Sequence, residues 1–110
     1  MSYNVKTISI FEKQARRLSR KYPSLKNDLS QLVQSLKENP EQGTALGNNC
    51  YKIRLAIKSK AKGKSGGARI VTHIVIFKKI VYLLTVYDKS EKADLLPGEL
   101  KQLVSEIIYS

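Results

Sequence analysis

The sequence predicts an α+β fold: one compact domain over residues 1–110, in the order β-α-α-β-β-β-α, with an antiparallel sheet and the helices packed on one of its faces. Three observations lead there. Two amphipathic helical patterns follow one another in the N-terminal part. After Asn49 the apolar period switches from 3.6 to two. Two β-branched runs then come in succession, ahead of a last helical stripe, so helices and strands are segregated along the chain rather than alternating.

Tyr3 to Ile8 is read as a short first strand. Ser9 with Glu12 has the spacing of a capping box at a helix start. Ile10 or Phe11, Ala15, Leu18 and Tyr22 then make one apolar stripe. Pro23 suits the first turn of a second helix, where Leu25, Leu29, Leu32, Val33 and Leu36 form a clean amphipathic face. Asn39-Pro40 stops it, because the residue before proline is pushed out of helical geometry. Glu41 to Asn49 reads as a polar loop. Tyr51, Ile53, Leu55 and Ile57 alternate with Lys52, Arg54, Ala56 and Lys58, giving a strand with one apolar and one basic face. Ser59 to Gly67 is rich in Lys, Gly and Ser and is expected to be a mobile loop. Ala68 to Phe77 and Ile80 to Tyr87 are apolar on both faces and are expected to be central strands, joined by a hairpin at Lys78-Lys79. Pro97 is expected to open a last helix that packs Leu100, Leu103, Val104, Ile107 and Ile108 on the sheet.

The charge is segregated. From Gln42 to Tyr87 there is no Asp or Glu, and the same stretch carries nine Lys or Arg. The whole chain is +11. Solubilising charge is normally mixed in sign, so a one-signed surface on a sheet points to a polyanion, with nucleic acid foremost. One cysteine, Cys50, and one histidine, His73, exclude an intramolecular disulfide and a zinc cluster. No pair of carboxylates is spaced for a metal, and Asp88, Glu91 and Asp94 have a simpler turn or capping role, so neither a metal nor another cofactor is expected. The N-terminus lacks a signal-peptide apolar core and no apolar run is long enough for a bilayer, so a cytoplasmic protein without a membrane partner is expected.

Lys52, Arg54 and Lys58 leave one strand face, and Arg69 opens the neighbouring strand. This is either a solvated face or a phosphate-binding one. The loop from Lys58 through Lys60, Lys62 and Lys64 has lysine at every second position and glycines that let backbone approach a phosphate, though its spacing is not that of a P-loop. His73 sits within an apolar strand and reads first as structural, secondly as an RNA contact. Tyr87, Asp88 and Lys89 end the last strand, where a rigid scaffold hands side chains to a site. These parts suffice for metal-free RNA cleavage, in which a ribose 2′-OH attacks the adjacent phosphate. Arg54 and Arg69 would stabilise charge, Lys52 or Lys89 would exchange a proton, and Tyr87 would orient the hydroxyl or stack on a base.

Cys50-Tyr-Lys-Ile-Arg-Leu, Gly66-Gly-Ala-Arg-Ile, Tyr82-Leu-Leu-Thr-Val-Tyr-Asp-Lys-Ser-Glu, Asp94-Leu and Glu99-Leu-Lys together resemble the RelE/HigB branch of the RelE/ParE superfamily of type II toxins. The resemblance covers most of the chain. It implies a RelE-like, microbial-ribonuclease-like fold and ribosome-dependent, metal-independent cleavage of mRNA in the A site. It also implies neutralisation by a cognate antitoxin, through which alone operator DNA would be reached. In this resemblance Lys52 matches a catalytic Lys, Arg54 stands where RelE has a second Lys, Arg69 matches a phosphate-binding Arg, and Lys89 stands where RelE has an Arg. RelE carries a tyrosine further into its C-terminal segment, where this chain has Leu95; Tyr87 is the expected substitute, as in HigB-like members. Lys58, Lys60, Lys62, Lys64 and His73 are the expected ribosomal-RNA contacts. The alternatives are a ParE-like gyrase inhibitor, which shares the scaffold, and a non-catalytic RNA-binding module.

Overall fold

The computed structural model describes residues 2–60, 63 and 66–109. The elements are β1 (Asn4–Thr7), α1 (Ser9–Lys21), α2 (Leu25–Glu38), β2 (Thr44–Gly47), β3 (Cys50–Leu55), β4 (Ala68–Val75), β5 (Ile80–Asp88) and α3 (Glu99–Ser105). The strands form one sheet in the order β1-β5-β4-β3-β2. This is the α+β arrangement expected, with one strand more. β2 through β5 pair antiparallel, whereas β1 runs parallel to β5, with Val5 beside Val81 and Thr7 beside Leu83. A parallel neighbour needs a crossover connection, and α1 and α2 supply it.

The extra strand lies in the segment read as a polar loop. β2 turns into β3 through Asn48 and Asn49, at φ 54° and 59°. Two successive positive φ angles make the tight hairpin whose twist matches the flanking strands, and asparagine tolerates them. An Asn-Asn pair before an alternating run was the available signal.

The capping box at the start of α1 does not form. Ile8 occupies the capping position with no side-chain cap, and Glu12 instead accepts a hydrogen bond from the Thr7 hydroxyl. Ile8 is buried, so the chain enters the helix directly from β1 and Ser9 falls inside it. The last helix also starts later than Pro97. Leu96 to Glu99 form a β-turn, with Gly98 at φ 81° and the Glu99 N–H donating to the Leu96 carbonyl at 3.0 Å. A positive φ at the third position after Pro at the second is a type II turn, which keeps Pro97 outside the helix.

Leu18, Leu25, Leu36, Ile57, Ile70, Leu83 and Leu84 are among the largest fully buried side chains, in one cluster. The expected helix stripes supply Phe11 and Leu18 from α1 and Leu25, Leu32 and Leu36 from α2. β1 pairs only with Ile80 to Leu83, so β5 outruns its neighbour. There Gln14 of α1 takes over: its side-chain carbonyl accepts the Val86 N–H at 3.0 Å and the Thr85 hydroxyl at 2.8 Å. The end of β5 is thereby held although it has become an edge.

Candidate functional site

Residues opposite one another across paired strands share a face. The register sets Arg54 against Arg69 and Arg69 against Tyr87, one row across three strands. The next row is Lys52, Val71 and Thr85. Lys52, Arg54, Arg69 and Tyr87 of the expected set are therefore brought together on one face, without Lys89. Arg69 and Tyr87 are buried and Arg54 is exposed. A cleft of about 370 Å³ passes Lys52 and Arg54 along the β2 side, bounded by Gln42, Gly43 and Thr44.

The C-terminal segment comes down on this same face. Lys52 Nζ lies 3.2 Å from the Asp94 carboxylate, and the Lys92 ammonium stands 5.5 Å from the centroid of the Tyr87 ring. Lys92 is itself held by Glu99 at 2.6 Å. The Asp94 carboxyl is kept below its usual range by the Leu95 N–H and then by Lys52. Asp94 thus has the turn role expected for it and a second one, as the acid that meets Lys52. Its partner is 42 residues away, so no local pattern announced the pair.

The Tyr87 hydroxyl is buried, with the Asp94 carboxylate nearby but, among the described residues, no partner in hydrogen-bonding geometry. Burial, then the nearby Asp94 carboxylate, raises its pKa, against an opposing effect of Arg69. It is a neutral phenol at physiological pH, fit to donate a hydrogen bond to a substrate oxygen. Lys89 is exposed and turns back on its own loop, donating to the Ala93 carbonyl at 2.9 Å, while its N–H donates to the Gly67 carbonyl at 3.0 Å. Among the described residues no three of His, Cys, Asp and Glu come close enough to hold a metal ion. No described helix is long and apolar enough to cross a membrane.

Alternation places Asp88 on the other face, in a row with Leu55 and Ala68. It is fully buried and accepts hydrogen bonds from the Tyr22 hydroxyl, from the Ser90 hydroxyl and N–H, and from Lys60 Nζ at 2.6 Å. Burial alone would raise its pKa, but the Lys60, Tyr22 and Ser90 hydrogen bonds outweigh it and hold the carboxyl far below the usual range.

That contact changes the reading of the basic loop. The Lys60 side chain is 10% exposed and bound to Asp88, so it is an internal counter-ion rather than a free phosphate contact. The segment expected to be mobile from Ser59 opens instead with a 3-10 turn, Lys58–Lys60. The Ser59 N–H donates to the Ser24 hydroxyl at 2.8 Å and the Lys58 N–H to the Asp28 carboxylate at 3.2 Å. The Lys58 side chain is exposed, and Lys62 and Lys64 lie outside the described residues. His73 pairs with Cys50 across β3 and β4, its Nδ1 lying 3.3 Å from the Cys50 sulfur. Burial lowers its pKa and pushes the Cys50 thiol up to about 11, so both are neutral at physiological pH.

The family model described as "RelE toxin of RelE / RelB toxin-antitoxin system" matches residues 8–107. A mutant of E. coli toxin RelE in the free state is similar in structure, with a TM-score of 0.61 and 22% identity over 99% of this chain and 97% of that one. The toxin-antitoxin complex RelBE2 from Mycobacterium tuberculosis aligns with a TM-score of 0.60 and 17% identity over 86% and 95% of the two chains. The E. coli RelE mutant bound to a peptide of antitoxin RelBc aligns with a TM-score of 0.51 and 26% identity over 83% and 90%.

Proposed function

The chain belongs to the RelE toxin family of toxin–antitoxin systems, and from that premise we propose that it is an endoribonuclease that cuts mRNA on the ribosome without a metal ion. The observation that supports the reading is the Arg54–Arg69–Tyr87 row with Lys52 beside it. In the proposed reaction the ribose 2′-oxygen bonds to phosphorus as the P–O5′ bond breaks, leaving a 2′,3′-cyclic phosphate and a free 5′-hydroxyl. The 2′-OH proton passes to an amine, Lys52 or Lys89, and the ammonium so formed returns a proton to the leaving 5′-oxygen. Arg54 and Arg69 stay charged and face the phosphorane dianion, which a preorganised cation stabilises more than it does the starting diester. Tyr87 serves as a neutral donor that orients the reacting ribose.

The ribosome requirement is supported by what the face lacks. His73, the single histidine, is bound up with Cys50, so the site holds no imidazole pair for strong acid–base work. Much of the acceleration would come from a substrate already splayed into an attack geometry. A cytoplasmic location follows from the ribosome as partner. The antitoxin partner follows from the family, and the E. coli RelE mutant bound to an antitoxin peptide is the structural precedent.

Ribosomes programmed with a defined mRNA, mixed with purified protein, test the reading. Cleavage within the A-site codon is expected, with a loss on the order of 10²- to 10³-fold for Arg69→Ala. Free mRNA is expected to survive. Cutting of free mRNA at the same rate would refute the ribosome requirement. Intact mRNA together with inhibited DNA gyrase would put a gyrase inhibitor in its place.

A further inference from the structure

The hairpin joining β4 to β5 carries an aromatic residue that the fold leaves uncovered. Phe77 is 84% exposed and Ile76 is 55% exposed. Lone apolar side chains on a surface are ordinary, but this pair sits at the apex of a rigid turn. A 3-10 turn, Ile76–Lys78, is closed by the Lys79 N–H donating to the Ile76 carbonyl at 3.1 Å, with Lys79 in the left-handed region at φ 53°. The Lys79 carbonyl accepts the Asn4 N–H at 2.9 Å, which fixes the turn to β1. The Lys78 ammonium lies 5.9 Å from the centroid of the Phe77 ring.

We infer that this tip is a second RNA contact, in which Phe77 stacks on an unpaired base of ribosomal RNA and Lys78 and Lys79 meet the flanking phosphates. The inference rests on the ribosome being the partner, and it adds a point of attachment separate from the site of cleavage. Three features favour RNA over a protein groove. The tip is convex, a shape that enters a stack. Lys78 and Lys79 follow it in sequence, within a stretch that holds no acid from Gln42 to Tyr87. An exposed ring beside cations is the combination that binds single-stranded bases, through stacking and phosphate attraction together. Ile76 lies seven positions beyond Arg69 along the strand, about 23 Å at the usual rise, so one nucleotide cannot touch both.

The test titrates purified bacterial ribosomes with the Arg69→Ala protein, so that cleavage does not disturb the equilibrium. Adding Phe77→Ala is expected to weaken binding at least about fivefold, in keeping with the loss of one stacked base, and to leave the salt dependence unchanged. Phe77→Trp is expected to restore it. Lys78→Gln with Lys79→Gln is expected to flatten the dependence of log K on log salt, because two fewer phosphates are neutralised. Thermal unfolding of the Phe77→Ala protein is expected to match its parent, since so little of the ring is buried. Undiminished ribosome binding by Phe77→Ala sinks the tip contact and leaves the proposed function standing. Weaker antitoxin binding with unchanged ribosome binding makes the tip a protein dock and overturns the inference. Failure of both the Arg69→Ala protein and the unaltered protein to bind ribosomes removes the proposed function and this inference with it.

Discussion

Arg54 and Arg69 stand directly opposite each other on β3 and β4. Like charges in that relation cost a sheet stability, and the proposed function accounts for the pair as a phosphate clamp. Arg54→Gln is expected to stabilise the free protein by about 0.2–1 kcal/mol, raising Tm by about 1–5 °C, while ribosome-coupled cleavage falls on the order of 10²-fold. Thermal melts beside cleavage rates check this; a lowered Tm would mean that the two guanidinium groups share a favourable contact.

Asp88 ties the basic loop, α1 and β5 into one knot, and its loss should be felt in stability. Asp88→Asn is expected to cost about 3 kcal/mol at pH 7, because Lys60 is left buried without its counter-ion. The acid response follows from the depressed pKa. An unfolded Asp protonates near 3.8 and the folded one only below that. The contribution of Asp88 is therefore complete above about pH 5 and is lost as pH falls through 3.8 toward the lower folded value. Denaturant unfolding from pH 7 to pH 2 should show the two proteins converging in acid; parallel curves would contradict the assignment.

Removing the Tyr87 hydroxyl should separate folding from function. Among the described residues the buried group finds no hydrogen-bond partner, so Tyr87→Phe is expected to leave stability unchanged or raise it by up to about 1 kcal/mol. Cleavage should fall by about 10²-fold if the phenol contacts the ribose. Since its pKa lies above the ordinary tyrosine value, the pH profile of residual cleavage between 6 and 9 should keep the limbs of the parent. A limb that vanishes in Tyr87→Phe would show the phenol titrating in that range.

Gly67 is required by crowding. A Cβ there would lie 2.1 Å from the Leu55 carbonyl oxygen and 3.1 Å from the Ala56 Cα, both main-chain atoms. Gly67→Ala is expected to cost about 1–3 kcal/mol, as overpacking does. It should also lower cleavage at temperatures where the protein is still folded, because the Gly67 carbonyl holds the Lys89 N–H. Amide exchange at Lys89 would report the loosened contact.

Local pattern made the helix faces, the central place of β4 and β5, and the meeting of Lys52, Arg54 and Arg69 legible. Strand alternation and hairpin pairing act over short stretches of chain. What escaped depends on long reach or on phase. Asp94 meets Lys52 only after the chain has crossed the sheet and returned. β5 is apolar on both faces, so its composition did not say which of Tyr87 and Asp88 faces the arginines. Lys60 has the composition of a solvated loop, and only the buried carboxylate of Asp88 brings it inside.

The parallel pairing of β1 with β5 bears on when the molecule becomes dangerous during its own synthesis. Val5 is made long before its strand partner, Val81. Non-local pairing of this kind forms late, since a long loop must close before any contact rewards it. A chain interrupted before β5 has neither a neighbour for β1 nor Tyr87 beside Arg69. Under the proposed function, a chain that has not yet reached β5 therefore carries no assembled face against the machinery that makes it, and that face forms only once Tyr87 stands beside Arg69.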